Sequence, residues 1–294
     1  MAALLDKRLV VVTGKGGAGK TTVALALALA AVRRGKSVVL CDVTGQDRIS
    51  QLAPELATVS VDPERAKQEW LRYQLKSRTL AGVLGGSNLF QYLTAAAPGL
   101  TELVTIGKVW DLAQLEPRSG APASDLAILD APATGHGLAM LRAPSTYASI
   151  ARVGPVGRHA ERIDAFLRDR SQTGVVTVAL PEEMPVNETV EFERALDREL
   201  GIAIDAILVN AVHPVRFRPP EVELLRTASS GTAVTQAALN AALSEHTRAR
   251  AEHAQVRRLR RAVTAPVATL PRIFEPELGR EQIDLLSADL ERKL

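Results

Sequence analysis

The sequence predicts an α/β fold, with a mostly parallel sheet, helices on both faces and a helical insertion at about 64–120. Three observations carry this reading. Short apolar runs alternate with helical patterns along the chain. A glycine-rich turn joins the first apolar run to a strong helix former. A later apolar run, Leu126-Ala127-Ile128-Leu129, ends on an acid, Asp130.

Arg8–Thr13 reads as the first strand and Thr21–Arg34 as the first helix, with Gly35 in the usual C-terminal stop position. Ser37–Val43 is the second strand, and Val59–Asp62 a short edge strand. Asp62-Pro63-Glu64 starts a helix, with acids at the positive end of its dipole. Glu69–Asp111 reads as several helices broken near Gly82, Gly85-Gly86 and Pro98-Gly99. Further strands are expected at Leu126–Asp130, Gly174–Leu180, Ala206–Asn210 and Val267–Pro271. Pro214–Gly231, rich in Pro, Arg and Ser, is expected to be a mobile connection, and Ala238–Ala262 a long helix. Residues 1–294 are read as one domain with no internal repeat.

The turn Gly14-Lys15-Gly16-Gly17-Ala18-Gly19-Lys20-Thr21-Thr22 lies between strand and helix, where a phosphate-binding P-loop belongs. Its glycines let the backbone fold tightly and turn N–H groups toward an anion. The helix start adds its positive dipole end. In such a loop Lys20 reaches the β- and γ-phosphates of a nucleotide, and the Thr21 hydroxyl takes Mg²⁺. These residues point to a P-loop NTPase. Asp130 at a strand end suits Mg²⁺ held through a water, and Ala131-Pro132-Ala133-Thr134-Gly135-His136 is read as a switch loop. His136 either meets a partner or makes a structural hydrogen bond. Asn210 offers a donor and an acceptor to an adenine edge or else serves a turn, and Pro271 stands where a loop closes over the same base.

Composition narrows the classes. Of 294 residues, 46% are apolar and 23% charged, an ordinary globular balance. A net charge of +3 is too mild to imply nucleic acid, and Arg257–Arg261 reads as a solvated face. One cysteine, Cys41, makes neither an internal disulfide nor a metal cluster, and a buried thiol in a cytoplasmic protein is expected. No signal peptide and no membrane span are read.

Lys15, directly after the first glycine, is not needed by a generic P-loop. Lys15-Gly16-Gly17-Ala18-Gly19-Lys20-Thr21 resembles the deviant Walker A motif of the MinD, ParA, nitrogenase iron protein and ArsA ATPases. In that class the lysine reaches across a dimer to the partner's nucleotide. Asp130–His136 is similar to the switch of the ArsA family, the arsenite-pump and tail-anchored-protein-targeting ATPases. Ala97–Glu102 and Leu180–Thr189 resemble two more of its segments, and Asn210 matches its adenine-side Asn. The nearest resemblance is to short, single-P-loop actinobacterial members. It implies an ATPase using ATP and Mg²⁺, with Lys15, Lys20, Asp42 and Asp130 in the catalytic centre. It also implies a homodimer, or a heterodimer with a paralogous subunit, serving an unknown client or membrane transport partner.

Departures from the family restrict the reading. One cysteine cannot build the thiolate site of arsenite-pump members or the shared zinc of the targeting members, so no metalloid or zinc site is expected. The family's switch carboxylate falls at Thr44 here. Either Asp42 or Asp47 substitutes, or hydrolysis is slow. A non-hydrolysing regulatory subunit and a ParA- or MinD-like positioning ATPase are the competing functions.

Overall fold

The computed structural model describes residues 4–43, 48–75, 99–151, 154–228 and 231–293. Thr44, Asp47, Phe90, Tyr92 and Pro98 lie outside the described residues, as does the side chain of Tyr73. The strands are β1 (Leu9–Gly14), β2 (Val38–Asp42), β3 (Ala57–Ser60), β4 (Leu126–Ala133), β5 (Thr173–Ala179), β6 (Ala206–Val212) and β7 (Val267–Pro271). They form one parallel sheet in the order β3-β2-β4-β1-β5-β6-β7. The helices are α1 (Lys20–Arg33), α2 (Arg48–Leu52), α3 (Pro63–Leu75), α4 (Leu100–Leu112), α5 (Thr134–Ile150) and α6 (Pro155–Arg168). They continue as α7 (Glu183–Leu200), α8 (Pro219–Thr227), α9 (Ala233–Ala262) and α10 (Arg280–Lys293).

The apolar runs are continuous because the central strands are buried on both faces, as a parallel sheet requires. Alternate residues divide between two cores. Leu9 and Val11 of β1, with Ala127 and Leu129 of β4, pack under α4, α5, α6, α7 and α9. Val10 and Val12, with Leu126 and Ile128, pack under α1 and α10. Val23 to Ala31 of α1 are all buried, and the alanines let α10 approach closely. There the Ser287 hydroxyl donates to the Ala26 carbonyl at 2.6 Å. Cys41 is buried in the first core, and burial pushes its thiol up to about 12.

From β1 the chain winds outward to β2 and β3, returns to insert β4 beside β1, and then winds the other way through β5, β6 and β7. The carboxyl ends of the strands flanking this reversal are where open α/β sheets place ligands. The glycine loop leaves β1 at that point.

The structure corrects several expectations. Pro214–Gly231 is not simply a connection, because it contains α8, started by Pro219 and capped by the Arg218–Glu221 pair. The long helix begins earlier, at Ala233, where Thr232 accepts a capping bond from the Thr235 N–H. No loop follows Asp130. Ala131–Ala133 continue the strand, since Ala133 stays in register with Gly14, and Thr134-Gly135-His136 form the first turn of α5. On α10, Leu285 is 62% exposed despite helical spacing like that of Leu286 and Leu290, which are buried. Among the described residues no helix is long and apolar enough to cross a membrane.

A candidate nucleotide site at the carboxyl edge of the sheet

Two glycines shape the loop. Gly14 has φ +145°, and a Cβ there would run into the Val178 carbonyl of β5, so only glycine lets β1 turn upward at this point. Gly19 has φ +91° and caps α1, and a Cβ there would strike the Asn210 amide nitrogen. Between them the Ala18 N–H donates to the Lys15 carbonyl at 3.2 Å, closing the turn. Gly16 and Gly17 are exposed, with open space where a Cβ would stand. Thr22 sits half-buried in the first turn of α1.

Lys20 opens α1 and its ammonium reaches back over the loop, 3.5 Å from the Lys15 carbonyl. Burial lowers its pKa, and Asp130 pulls it the other way. A partly desolvated cation above a glycine loop at a helix N-terminus fits an anion such as a phosphate.

Asp42 and Asp130 are register partners across β2 and β4. By strand alternation both fall on the α1 face, and both are buried. The Thr21 hydroxyl donates to Asp130 Oδ2 at 2.5 Å. Burial pushes the Asp130 carboxyl up to about 6, against the Thr21 bond; Asp42 adds to the rise and Lys20 opposes it. The other carboxylate oxygen, Oδ1, is buried without a hydrogen-bond partner. A hydroxyl and a carboxylate with an orphaned oxygen suit Mg²⁺, which takes few protein ligands and completes its shell with water and phosphate. Among the described residues no group of three or more His, Cys, Asp or Glu side chains stands together.

Asn210 approaches from β6. Its Nδ2 donates to the Ala18 carbonyl at 2.9 Å, and its Oδ1 accepts from the Ala211 N–H at 2.9 Å. Its amide thus ties the loop to the sheet. Ala211 has φ +58°, and the β6–β7 register shifts between Val209 and Val212. Pro271 ends the neighbouring strand, exposed and opposite Val212. The structure therefore gathers the loop, Thr21, Asp42, Asp130 and Asn210 at one edge, with Pro271 flanking them.

Two features escaped sequence reasoning. Lys15 makes an ion pair with Glu188 of α7, Nζ to Oε1 2.7 Å, each side chain about a third exposed. No local pattern links residues this far apart, although Glu188 lies in the Leu180–Thr189 stretch already singled out. His213 is buried beyond the end of β6, its Nδ1 and backbone N–H each 2.8 Å from a Glu252 carboxylate oxygen. The edge of the Phe274 ring lies against it. His136 is exposed on the first turn of α5. Behind it Gly137 packs on Thr13, whose hydroxyl donates to the Pro132 carbonyl at 3.3 Å.

Comparison with known proteins identifies the family. The family profile described as Anion-transporting ATPase, ArsA_ATPase, matches residues 7–153 and 149–220. ATPase BagA of Mycobacterium tuberculosis is 28% identical over 233 residues, covering 73% of this chain and 68% of that protein. ATPase GET3C of Arabidopsis thaliana is 23% identical over 275 residues, covering 73% and 69%. The arsenical pump-driving ATPase of Escherichia coli is 25% identical over 234 residues, covering 69% of this chain and 39% of its own length. With matched stretches that span the loop, Asp42, Asp130 and Asn210, this chain belongs to the ArsA family of ATPases.

Proposed function

We propose that this chain binds Mg-ATP in the glycine loop and hydrolyses it as a dimer whose closure depends on the nucleotide. The bond from Thr21 to the buried Asp130, at the start of α1 and beside Lys20, is the observation that carries the reading. Residues Gly14 to Thr22 cradle the phosphates, and Lys20 neutralises charge on the β- and γ-groups. Thr21 and Asp130 are the residues that would hold Mg²⁺. Mg²⁺ there would offset the charge of the phosphates. Asn210 and Pro271 flank the adenine, with Asn210 also holding the loop. Asp42, the register partner of Asp130, or Asp47 would orient the attacking water in place of the acid missing at Thr44. Lys15 leaves Glu188 and reaches the partner's phosphates.

The dimer is a homodimer or a pair with a paralogous subunit, in the cytoplasm. The whole of 1–294 acts as one ATPase unit, and the stretch at about 64–120 meets a client protein or a membrane transport component. Thr44 favours a second reading, an ATP-binding subunit that turns over only beside a paralogue.

Calorimetry with Lys20→Ala tests the core of the proposal. Mg-ATP binding is expected to vanish while the circular dichroism spectrum stays. Unchanged affinity in the folded variant would overturn it.

A further inference from the structure

The end of β6 leaves regular strand geometry. Ala211, with φ +58°, is the one non-glycine residue with positive φ among the described residues. The pairing of β6 with β7 slips at the same place, between Val209 and Val212. A left-handed alanine is strained, and it persists only where its surroundings hold it. Irregularities of this kind re-aim side chains beside functional sites. Here the neighbouring side chain is Asn210, whose Nδ2 donates to the Ala18 carbonyl of the glycine loop at 2.9 Å.

The hold comes from α9, and it grips one residue. Two places beyond Ala211, the His213 backbone N–H donates to Glu252 Oε2 at 2.8 Å. The ring Nδ1 of the same residue lies 2.8 Å from Glu252 Oε1. Its carbonyl accepts from His253 Nε2 at 3.1 Å. A carboxylate that takes both the backbone and the ring of one residue fixes its position and its orientation together. The His213 side chain is 6% exposed and that of Glu252 12%, so these bonds are shielded from water. Val212 is tied as well, its carbonyl accepting from the Arg272 N–H at 2.9 Å. The Phe274 ring packs against His213, centroids 5.6 Å apart at 71°. Arg216 lies 5.4 Å from the centre of that ring and pairs with Glu245, also of α9, at 2.7 Å.

We propose that Glu252, acting through His213, is a positioning residue for the base of the nucleotide. It holds the Ala211 kink, and the kink aims Asn210. This rests on the nucleotide reading of the site and extends it to α9. Lys20 bonds within the loop and Thr21 bonds to β4, so the phosphates do not depend on this clasp.

Calorimetry on the full chain tests it by comparing Mg-ATP with Mg-tripolyphosphate, which carries phosphates and no base. Glu252→Ala should weaken Mg-ATP about fivefold and leave tripolyphosphate within about twofold. Glu252→Gln keeps an acceptor for the His213 N–H and should restore most of the loss. In an Asn210→Ala background, Glu252→Ala should cost less than about twofold, because the side chain it aims is gone. If Glu252→Ala does not fold, His253→Ala takes its place. That half-buried position supplies the bond to the His213 carbonyl, and its loss should weaken Mg-ATP about threefold. Equal losses for Mg-ATP and tripolyphosphate would make the clasp a structural anchor and overturn the proposal. So would unchanged Mg-ATP affinity in the folded variants, or a full loss in the Asn210→Ala background. An unaltered chain that binds neither probe fails the nucleotide reading itself, and this proposal with it.

Discussion

Lys15 is paired with Glu188 of its own chain, Nζ to Oε1 2.7 Å, whereas the proposed function has it reach a partner's nucleotide. Both groups are about a third exposed, which puts the pair among those worth at most about 1 kcal/mol. Such a pair biases Lys15 without locking it.

Glu188→Gln should therefore ease dimerisation with Mg-ATP by up to about fivefold, with the nucleotide-free state unchanged. Sedimentation across a concentration series measures it. A dimer constant equal to that of the unaltered chain means that Glu188 does not restrain Lys15.

Lys15→Ala should keep Mg-ATP binding and lose turnover if, as proposed, its charge acts on the neighbouring site. In a mixed dimer of variant and unaltered subunits, the loss should appear at the unaltered subunit's loop. Loss at the variant's own loop would place Lys15 in cis.

Asp130→Asn should trade binding for stability. Burial raises this carboxyl from 3.8 to about 6. The folded chain thus holds the proton more tightly than the unfolded chain, and the benefit is full below the unfolded value and lost as pH rises through about 6. Above that, the buried charge costs on the order of 3 kcal/mol relative to its protonated form. Asparagine removes the charge and keeps an acceptor for Thr21. Without metal or nucleotide, its melting temperature should exceed that of the unaltered chain at about pH 8, with little difference near pH 4. Mg-dependent ATP affinity should fall. Equal melting temperatures at about pH 8 would show that the charge is compensated.

Asn210→Ala removes the bond to the Ala18 carbonyl and should cost about 1 kcal/mol in urea unfolding, with a modest loss of ATP affinity. Gly19→Ala should cost more, about 1–3 kcal/mol, since it adds left-handed strain and a collision with the same amide. In the double variant Gly19→Ala, Asn210→Ala the collision is gone, so the two costs should sum to more than the pair costs together. Simple additivity would show that the two residues do not touch in solution.

Turnover by the isolated chain tests the Thr44 position. Loss of a positioned acid–base group costs about two to four orders of magnitude. If Thr44 leaves the site incomplete, the isolated chain should turn over slowly, and Thr44→Asp or a paralogue that carries the acid should speed it. Brisk turnover that is lost in Asp42→Asn assigns the role to Asp42 instead.

The sequence by itself determined the fold class, the glycine loop and Asp130, because each rests on a short local pattern. Apolar runs bounded by turns name buried strands, and a glycine loop before an alanine-rich helix needs no distant residue to be recognised. The same local logic failed where structure depends on what comes alongside. Leu285 has helical spacing like Leu286, yet it faces outward, because α10 offers only one side to α1. Ala131–Ala133 carry a proline, yet they stay in the sheet because Gly14 lies beside them. Only the tertiary structure set Asp42 beside Asp130, brought Glu188 to Lys15, turned the Asn210 amide onto the loop and set the Glu252 carboxylate against His213. Each of these joins segments far apart in the chain, through sheet register and helix packing. Such pairings are properties of the assembled core and leave no spacing in the sequence to read.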